Sequence, residues 1–468
     1  MTPKYDLLII GGGISGAALL HCATRYTNIR RIGLIEKYDG LASVNTHGRH
    51  NSQTLHCGDI ETNYTLDKAL SVKRAADMIV HYARAQPNTD RIVYKFSKMV
   101  LGVGERETQA LRDRFAIFGS HYAAMRLLEK PEIALLEPNV AKIGNAFRTD
   151  DIVALGSVSE YCAVDYAALA HSFVYSAVKE KTSEVELHLG TTVERIDKHN
   201  DVFQVRTQKG VLLADAVVAS AGGHSLLLAQ QMGYGLNYSV FPVAGSFYFT
   251  PKVLNGKVYT VQNDKLPFAA IHGDPDVLVE GKTRFGPTAV ILPLLERYNY
   301  KTLPEFFKVL RFDRDVLQVF LDLLKEPEIR NYMLKNALFE VPLLRRALFL
   351  RDARKIVPSL KLKDIQYAKR FGGIRPQLVD KEHRALRLGE AKINPHNGII
   401  FNMTPSPGGT SCLYNAEIDL RSICTYLGKQ YDEARMTREL VDPSMEPVPG
   451  ALTDHDALIE EIDATADA

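Results

Sequence analysis

Leu7-Leu8-Ile9-Ile10-Gly11-Gly12-Gly13-Ile14-Ser15-Gly16, within the stretch 6–36, decides the fold. Four large aliphatic residues in a row predict a short strand buried on both faces, as in a parallel sheet. The glycines follow at once. Residues 17–26 then predict a helix, and 32–35 a second strand ending in Glu36. This is G-x-G-x-x-G between strand and helix, with an acid 20 residues after the last glycine. Gly11 permits the tight turn, Gly13 leaves room for a pyrophosphate against bare backbone, and Gly16 lets the helix pack close to the strand. The helix N-terminus offers free N–H groups and partial positive charge to phosphates. Glu36 is placed to accept hydrogen bonds from a ribose diol. The stretch predicts a dinucleotide site but does not by itself distinguish FAD from NAD.

The chain has 468 residues, 46% hydrophobic and 24% charged, which is ordinary globular usage and enough length for two to three domains. Its net charge is +2, and no basic tract is interleaved with aromatics, so nucleic acid is not an expected partner. Cys22, Cys57, Cys162, Cys412 and Cys424 are scattered singly, without zinc spacing. No metal site is expected, and a reduced, cytoplasmic compartment fits best. The first strand begins too early to leave room for a signal peptide. No run of about 18 apolar residues predicts a membrane span, so any membrane contact is expected to be peripheral.

After Glu36 the chain is polar and turn-rich through residue 58, where a loop leaving the second strand would pass over the cofactor. His47, His50 and His56 fall within it at no recognisable metal spacing. Residues 65–84 predict a helix. From about residue 91 the texture changes: strands at 93–96 and 99–103, a long helix over 105–128, and a helix over 166–179. Strands are predicted at 185–189 and 192–196, a hairpin over 202–215, and a buried strand over 216–221. Residues 236–284 look β-rich, 303–350 helical, and 367–377 and 398–401 like strands. A glycine-bearing loop over 402–411 feeds a helix over 413–426. Past Val441 there are eight acids and no Lys or Arg, which predicts a loosely packed tail.

The expected fold class is α/β: a discontinuous Rossmann-like, glutathione-reductase-like domain from residues 1–88, 160–232 and 366–430. An α+β substrate domain, 89–159 and 233–365, is inserted into it, and 441–468 is the acidic tail. NAD domains are usually one continuous block. A discontinuous domain with a second helix N-terminus near its C-terminal end suits FAD, because that positive end can sit at the flavin pyrimidine, where negative charge collects on reduction.

His50-Asn51-Ser52-Gln53-Thr54-Leu55-His56-Cys57-Gly58 resembles the flavin-contacting loop of 2-hydroxyacid oxidoreductases in the D-amino-acid-oxidase-like FAD superfamily. Glu61-Thr62-Asn63-Tyr64-Thr65 resembles, more narrowly, malate:quinone oxidoreductases. Pro267-Phe268-Ala269-Ala270-Ile271-His272-Gly273-Asp274, ahead of Phe285-Gly286-Pro287-Thr288-Ala289, resembles the substrate-side histidine segment. Gly373-Ile374-Arg375-Pro376-Gln377 resembles the arginine segment and Ser406-Pro407-Gly408-Gly409-Thr410 the C-terminal flavin loop. The motifs fall in family order over residues 6–426. Gln53 departs from the pattern, standing where relatives often carry glycine. The start, Met1-Thr2-Pro3-Lys4-Tyr5, is very short, and the acidic tail after Val441 has no family counterpart.

The resemblance implies non-covalent FAD held by Gly11, Gly13, Ile14, Ser15, Gly16, Glu36, Lys37, Asn51, Ser52, Gln53, Thr54, Val193, Ala221, Gly222, Ser406, Pro407, Gly408, Gly409 and Thr410. It implies oxidation of (S)-malate to oxaloacetate, with electrons passed to a membrane quinone, and a location on the inner face of a bacterial cytoplasmic membrane. Arg375 is the expected carboxylate clamp, because guanidinium grips carboxylate with two parallel bonds. His272 is the expected base, because imidazole titrates near neutral pH. His56, Tyr64 and Tyr248 are further substrate-pocket candidates. Residues 342–355 read as a helix with one core face and one solvated basic face, in preference to a helix lying on anionic lipid. Arg375 and His272 would serve any 2-hydroxyacid, so an L-2-hydroxyglutarate or L-lactate dehydrogenase, an amino-acid oxidase and a non-enzymatic flavin-binding regulator remain as alternatives.

Overall fold

The computed structural model of the chain describes residues 4–262, 270–387, 391–403 and 406–442. Pro267-Phe268-Ala269 of the histidine segment, Thr404 and Pro405 of the second glycine loop, and the acidic tail beyond Asp442 lie outside the described residues. The fold is mixed α/β. Among the described residues no helix is long and apolar enough to cross a membrane.

The first strand, Lys4–Ile10, lies inside a sheet of eight strands, flanked in parallel by Gly210–Ala219 and Arg31–Ile35. Glu184–His188 and Ile399–Met403 extend the parallel part at either side. Leu7, Leu8 and Ile9 are fully buried between layers, and each such side chain contributes about 1.5–3 kcal/mol on leaving water. The helices Ile14–Tyr26, Tyr166–Lys179 and Cys412–Leu427 pack into one core on the face that carries Leu7 and Ile9. The helix Gly223–Gln231 closes the other face with Leu228 and Ala229 against Leu8 and Phe401. Caps explain two of the helix starts: Thr65 accepts from Lys68 N ahead of Leu66–Arg84, and Asp165 accepts from Ala167 N and Ala168 N ahead of Tyr166–Lys179.

A second eight-stranded sheet joins Val93–Val103, Ile152–Val164, Tyr248–Pro251, Lys257–Thr260, His272–Pro275 and Lys282–Gly286 with two short edge strands. A third, antiparallel sheet has Tyr238–Ala244 beside Ile374–Asp380. The sequence expectations differ here in four places. Residues 105–128 are not one helix: Glu105–Phe118 stops at Gly119, and Arg126–Leu128 is a strand. Apolar spacing alone cannot separate a helix tail from a short edge strand. The thirteen-residue strand Ile152–Val164 was not anticipated and runs across the expected boundary at 159/160. The stretch 367–377 is two strands broken before Gly372, whose φ of +141° suits glycine. Both strands pair outside the parallel sheet, which the chain rejoins only at Ala391–Ile393 and Ile399–Met403 rather than at residue 366.

Residues 303–350 are helical as expected, in Leu303–Leu310, Arg314–Lys325, Pro327–Leu338 and Arg345–Ile356. The last buries Phe349, Leu350, Ala353 and Ile356 in the second core. That is the core-faced helix expected from residues 342–355.

Candidate active site

The turn at Gly11 has φ +110°, and its amide donates to Ile35 O at 2.8 Å. A Cβ on Gly16 would stand 1.9 Å from Gly11 O, so only glycine lets the helix start this close to the strand. A Cβ on Gly13 would meet only Thr46 Oγ1, at 3.1 Å, leaving that side of the backbone open. The first turn of Ile14–Tyr26 carries no acid to compete with an anion. Glu36 turns its carboxylate back over the turn, accepting from Gly12 N at 2.8 Å and Tyr38 N at 3.0 Å.

A groove of about 570 Å³ runs along these residues. Gly11, Gly13, Ile14, Ser15, Glu36, Lys37, Val193, Ala221 and Gly222 all line it. It shares Ile14, Ser15, Asn45, Thr46 and Gly222 with a second cavity of about 160 Å³. That cavity brings together Asn51, Ser52, Thr54, His56, Arg375, Ser406, Pro407, Gly408 and Gly409. The start of Ile14–Tyr26 and the loop 406–409, which leads toward Cys412–Leu427, therefore border one space. A long groove with a bare-backbone turn, an aimed carboxylate and a helix N-terminus fits an extended dinucleotide with a ring system at its inner end. Glu36→Ala is expected to weaken FAD binding by about 1.5–3 kcal/mol, roughly 10–100-fold, since a charged acceptor is lost. Titration of the apoprotein with FAD measures it, and unchanged affinity would take Glu36 off the ribose.

The inner cavity is held by a dense set of bonds. Tyr166 OH donates to Thr54 O at 2.7 Å and lies 3.0 Å from Thr410 Oγ1, which accepts from His56 N at 3.1 Å. Thr410 is thus a buried strut between the two flavin loops and does not line the cavity. Asn45 brackets the arginine strand, donating to Ile374 O at 2.9 Å and accepting from Ile374 N at 3.3 Å. Gly372 N donates to Arg49 O at 2.8 Å, and a Cβ on Gly373 would stand 2.1 Å from His50 O. The strand carrying Arg375 is therefore pressed directly onto the 45–50 loop.

Arg375 lines the cavity, and among the described residues no carboxylate pairs with it. Burial pulls its pKa below the ordinary guanidinium value, while Tyr259, Tyr332 and Tyr64 act in the other direction. It stays charged, so a half-buried cation faces the cavity, where an anion would complete it. His56 also lines the cavity. Its Nδ1 is 2.7 Å from Glu61 Oε1, and its Nε2 is 3.4 Å from Ser406 Oγ. Burial works against charge on Glu61, but the His56 contact outweighs it and the carboxyl sits below its usual range. Gly58 N donates to the other oxygen of Glu61 at 2.9 Å. Arg114 holds the whole 58–64 segment, donating to Glu61 O at 2.9 Å and Tyr64 O at 3.1 Å among other carbonyls.

His272 does not line the cavity described here. It is 2% exposed, stacked on Tyr259 with ring centroids 4.3 Å apart, and its Nδ1 is 2.6 Å from Asp274 Oδ2. Burial lowers the His272 pKa against the pull of Asp274. Asp274 is lowered to about 2: burial raises it, but His272 and the Lys257 ammonium, 3.2 Å away, outweigh that. Tyr259 connects this group to the cavity wall through its 2.7 Å contact with Thr54 Oγ1.

Four other expected residues stand differently from their assignment. Tyr248 is fully buried, stacked on Phe349 at 3.9 Å and donating to Phe339 O; its neighbour Phe247 is the one at the cavity. Strand alternation explains the swap, since adjacent residues face opposite sides. Tyr64 packs against the apolar cluster around Ile60 and Phe118 and acts on Arg375 electrostatically. Lys37 borders the groove, but its ammonium pairs with Glu296. Gln53 adopts φ +52°, the left-handed region that glycine fills at no cost. Its side chain turns from the cavity, accepting from Val277 N at 3.1 Å and donating to Gly48 O at 3.3 Å. Sequence reading missed Arg114, Tyr166 and Tyr259, whose partners lie over 50 residues away along the chain. Only a three-dimensional contact could reveal them.

Comparison with known proteins identifies the family. A family model described as FAD dependent oxidoreductase matches residues 6–416. The chain belongs to that family. A probable malate:quinone oxidoreductase of Campylobacter jejuni is 48% identical, covering 94% of this chain and 99% of that one. The malate:quinone oxidoreductase of Helicobacter pylori is 42% identical, covering 95% and 100%. Within the larger family, then, this chain is a member of the malate:quinone oxidoreductase group. An L-2-hydroxyglutarate dehydrogenase of Escherichia coli stands further off, at 24% over 93% of this chain and 96% of that one. Among solved structures, the FAD-bound L-α-glycerophosphate oxidase of Mycoplasma pneumoniae superposes with a TM-score of 0.61 at 19% identity, covering 90% of this chain and 94% of that one. That likeness shows the fold.

Proposed function

We propose that this chain oxidises (S)-malate to oxaloacetate with FAD and passes the electrons to quinone. The observation that carries the substrate class is Arg375, a cavity-lining cation with no carboxylate partner among the described residues. Its planar fork suits the C1 carboxylate of a hydroxyacid. His56 takes the hydroxyl proton at Nε2, and the carboxylate of Glu61, 2.7 Å from Nδ1, fixes the tautomer and shares the charge that forms. The base role expected of His272 is thereby assigned to His56. His272 and Asp274 act as a positioning pair that holds Tyr259 against Thr54. Bound FAD supplies the acceptor for the hydrogen and electron pair that leave C2. Glu36, Gly11 and Gly13 would hold its adenosine and pyrophosphate end, and Asn51, Ser52, Thr54 and the loop 406–409 would hold its ring end. The parallel sheet and its helices form a discontinuous Rossmann-like unit, and the two other sheets with the helices of 303–356 form the inserted substrate unit. The protein works in the cytoplasm as a peripheral protein on the inner face of the membrane that holds its quinone.

Anaerobic mixing with L-malate, D-malate, L-lactate and L-2-hydroxyglutarate, followed by flavin absorbance, tests the substrate. L-malate is expected to bleach the flavin fastest. Faster bleaching by L-2-hydroxyglutarate would move the protein to the rival substrate.

A further inference from the structure

The described residues of the helical region carry an excess of uncovered apolar side chains. Eleven of the twenty-three exposed large hydrophobic residues among the described residues fall within 303–344. On Arg314–Lys325, Val316 and Val319 are buried against the body, yet Leu317, Leu321 and Leu324 are 41–44% exposed. Their spacing of four and three residues makes one stripe on the side away from the core. A helix apolar on both faces has a partner for only one of them. On Pro327–Leu338 the pattern repeats, with Leu334 at 61% and Leu338 at 44% exposure, and the turn that follows presents Leu343 at 92%.

Charge complements this face. Residues 345–370 contain nine Lys and Arg against two Asp, a net +7 in a chain whose total is +2, so all the rest is net negative. The basic segment is joined to the apolar one. Lys335 pairs with Asp352 at 2.6 Å, and Arg346, three residues past Leu343, donates to Leu362 O at 2.7 Å. Leu362 is itself 45% exposed.

The inner side of the same helical pair packs on the segment that follows cavity-lining Pro287. Asn336 Oδ1 accepts from Ala289 N at 2.7 Å, and Tyr332 is close enough to Arg375 to influence its charge.

We infer that the outer face of Arg314–Lys325, Pro327–Leu338 and the turn at Leu343 dips into the surface of an anionic bilayer, and that the basic face of Arg345–Ile356, opposite its core face, lies with the residues through 370 over the headgroups rather than in free water. This presents the flavin end of the cavity to a quinone inside the bilayer, and it rests on the quinone reading above. Leucines entering the acyl boundary and cations over anionic lipid are the two attractions a peripheral protein uses.

The test uses FAD-loaded protein and vesicles of equal parts phosphatidylcholine and phosphatidylglycerol, against phosphatidylcholine alone. Wild type is expected to float with the anionic vesicles and much less with the neutral ones. The triple variant Leu317→Ser, Leu321→Ser, Leu324→Ser and the single variant Leu343→Glu are each expected to need about tenfold more lipid. Both should keep anaerobic flavin reduction by L-malate within about twofold of wild type and keep reducing a water-soluble short-chain quinone, yet lose most reduction of a long-chain quinone in vesicles. Flotation unchanged in both variants would overturn the inference. So would a wild type that ignores vesicles but sediments as a dimer split by the substitutions, which would make this a protein contact. Absence of flavin reduction by L-malate in the wild type would instead count against the functional reading, whatever the flotation result.

Discussion

Arg375→Lys is expected to slow flavin reduction by malate about 10²-fold while FAD stays bound. Lysine keeps the positive charge but loses the planar two-point grip, so the exchange is not conservative at a carboxylate. A substrate held at one point can tilt, and a displacement of about 1 Å at the reacting carbon costs about 10²-fold. The strand that carries Arg375 is bracketed by Asn45 and pressed on His50, and neither contact involves the guanidinium. FAD content should therefore be unchanged, and dicarboxylate inhibitors should weaken in parallel with the loss of rate. If neither flavin reduction nor inhibitor binding responds, Arg375 does not hold the substrate.

His56→Ala should cost about 10²–10⁴ in the rate of flavin reduction, the usual worth of a general base. Glu61→Gln should lower the rate less and shift its pH dependence, because His56 remains but loses the anion 2.7 Å from Nδ1. His272→Ala, separated from the cavity wall by the Tyr259 ring, should cost less than His56→Ala. These three variants separate the two histidines cleanly. Should His272→Ala show the larger loss with FAD retained, the base is His272, and the cavity described here is not the reacting arrangement.

The histidine question illustrates what the sequence could carry. His56 and His272 each sit in a family-like segment, and residue type favours neither. The choice depends on Tyr259, which interposes its ring between His272 and the cavity wall. Nothing in the linear order announces that ring. The glycine turn was fully legible, because Gly11, Gly13, Gly16 and Glu36 act through local backbone geometry within one βαβ unit. Arg375 was legible as a residue and not as a position: its readiness for an anion depends on having no carboxylate beside it among the described residues. Tyr248 shows the reverse error. Its strand was anticipated, but which of Phe247 and Tyr248 faces the cavity depends on register against Phe285 and Tyr367. The exposed leucines at 317, 321 and 324 read as core in any helical pattern, and only their exposure in the folded chain marks them otherwise.

The most direct test of the central claim is a balance of products under air. Purified protein with L-malate and a quinone should yield oxaloacetate and quinol in equal amounts, with no peroxide above the enzyme-free background. Peroxide formed in step with substrate loss, without quinol, would contradict the account and make the protein an oxidase.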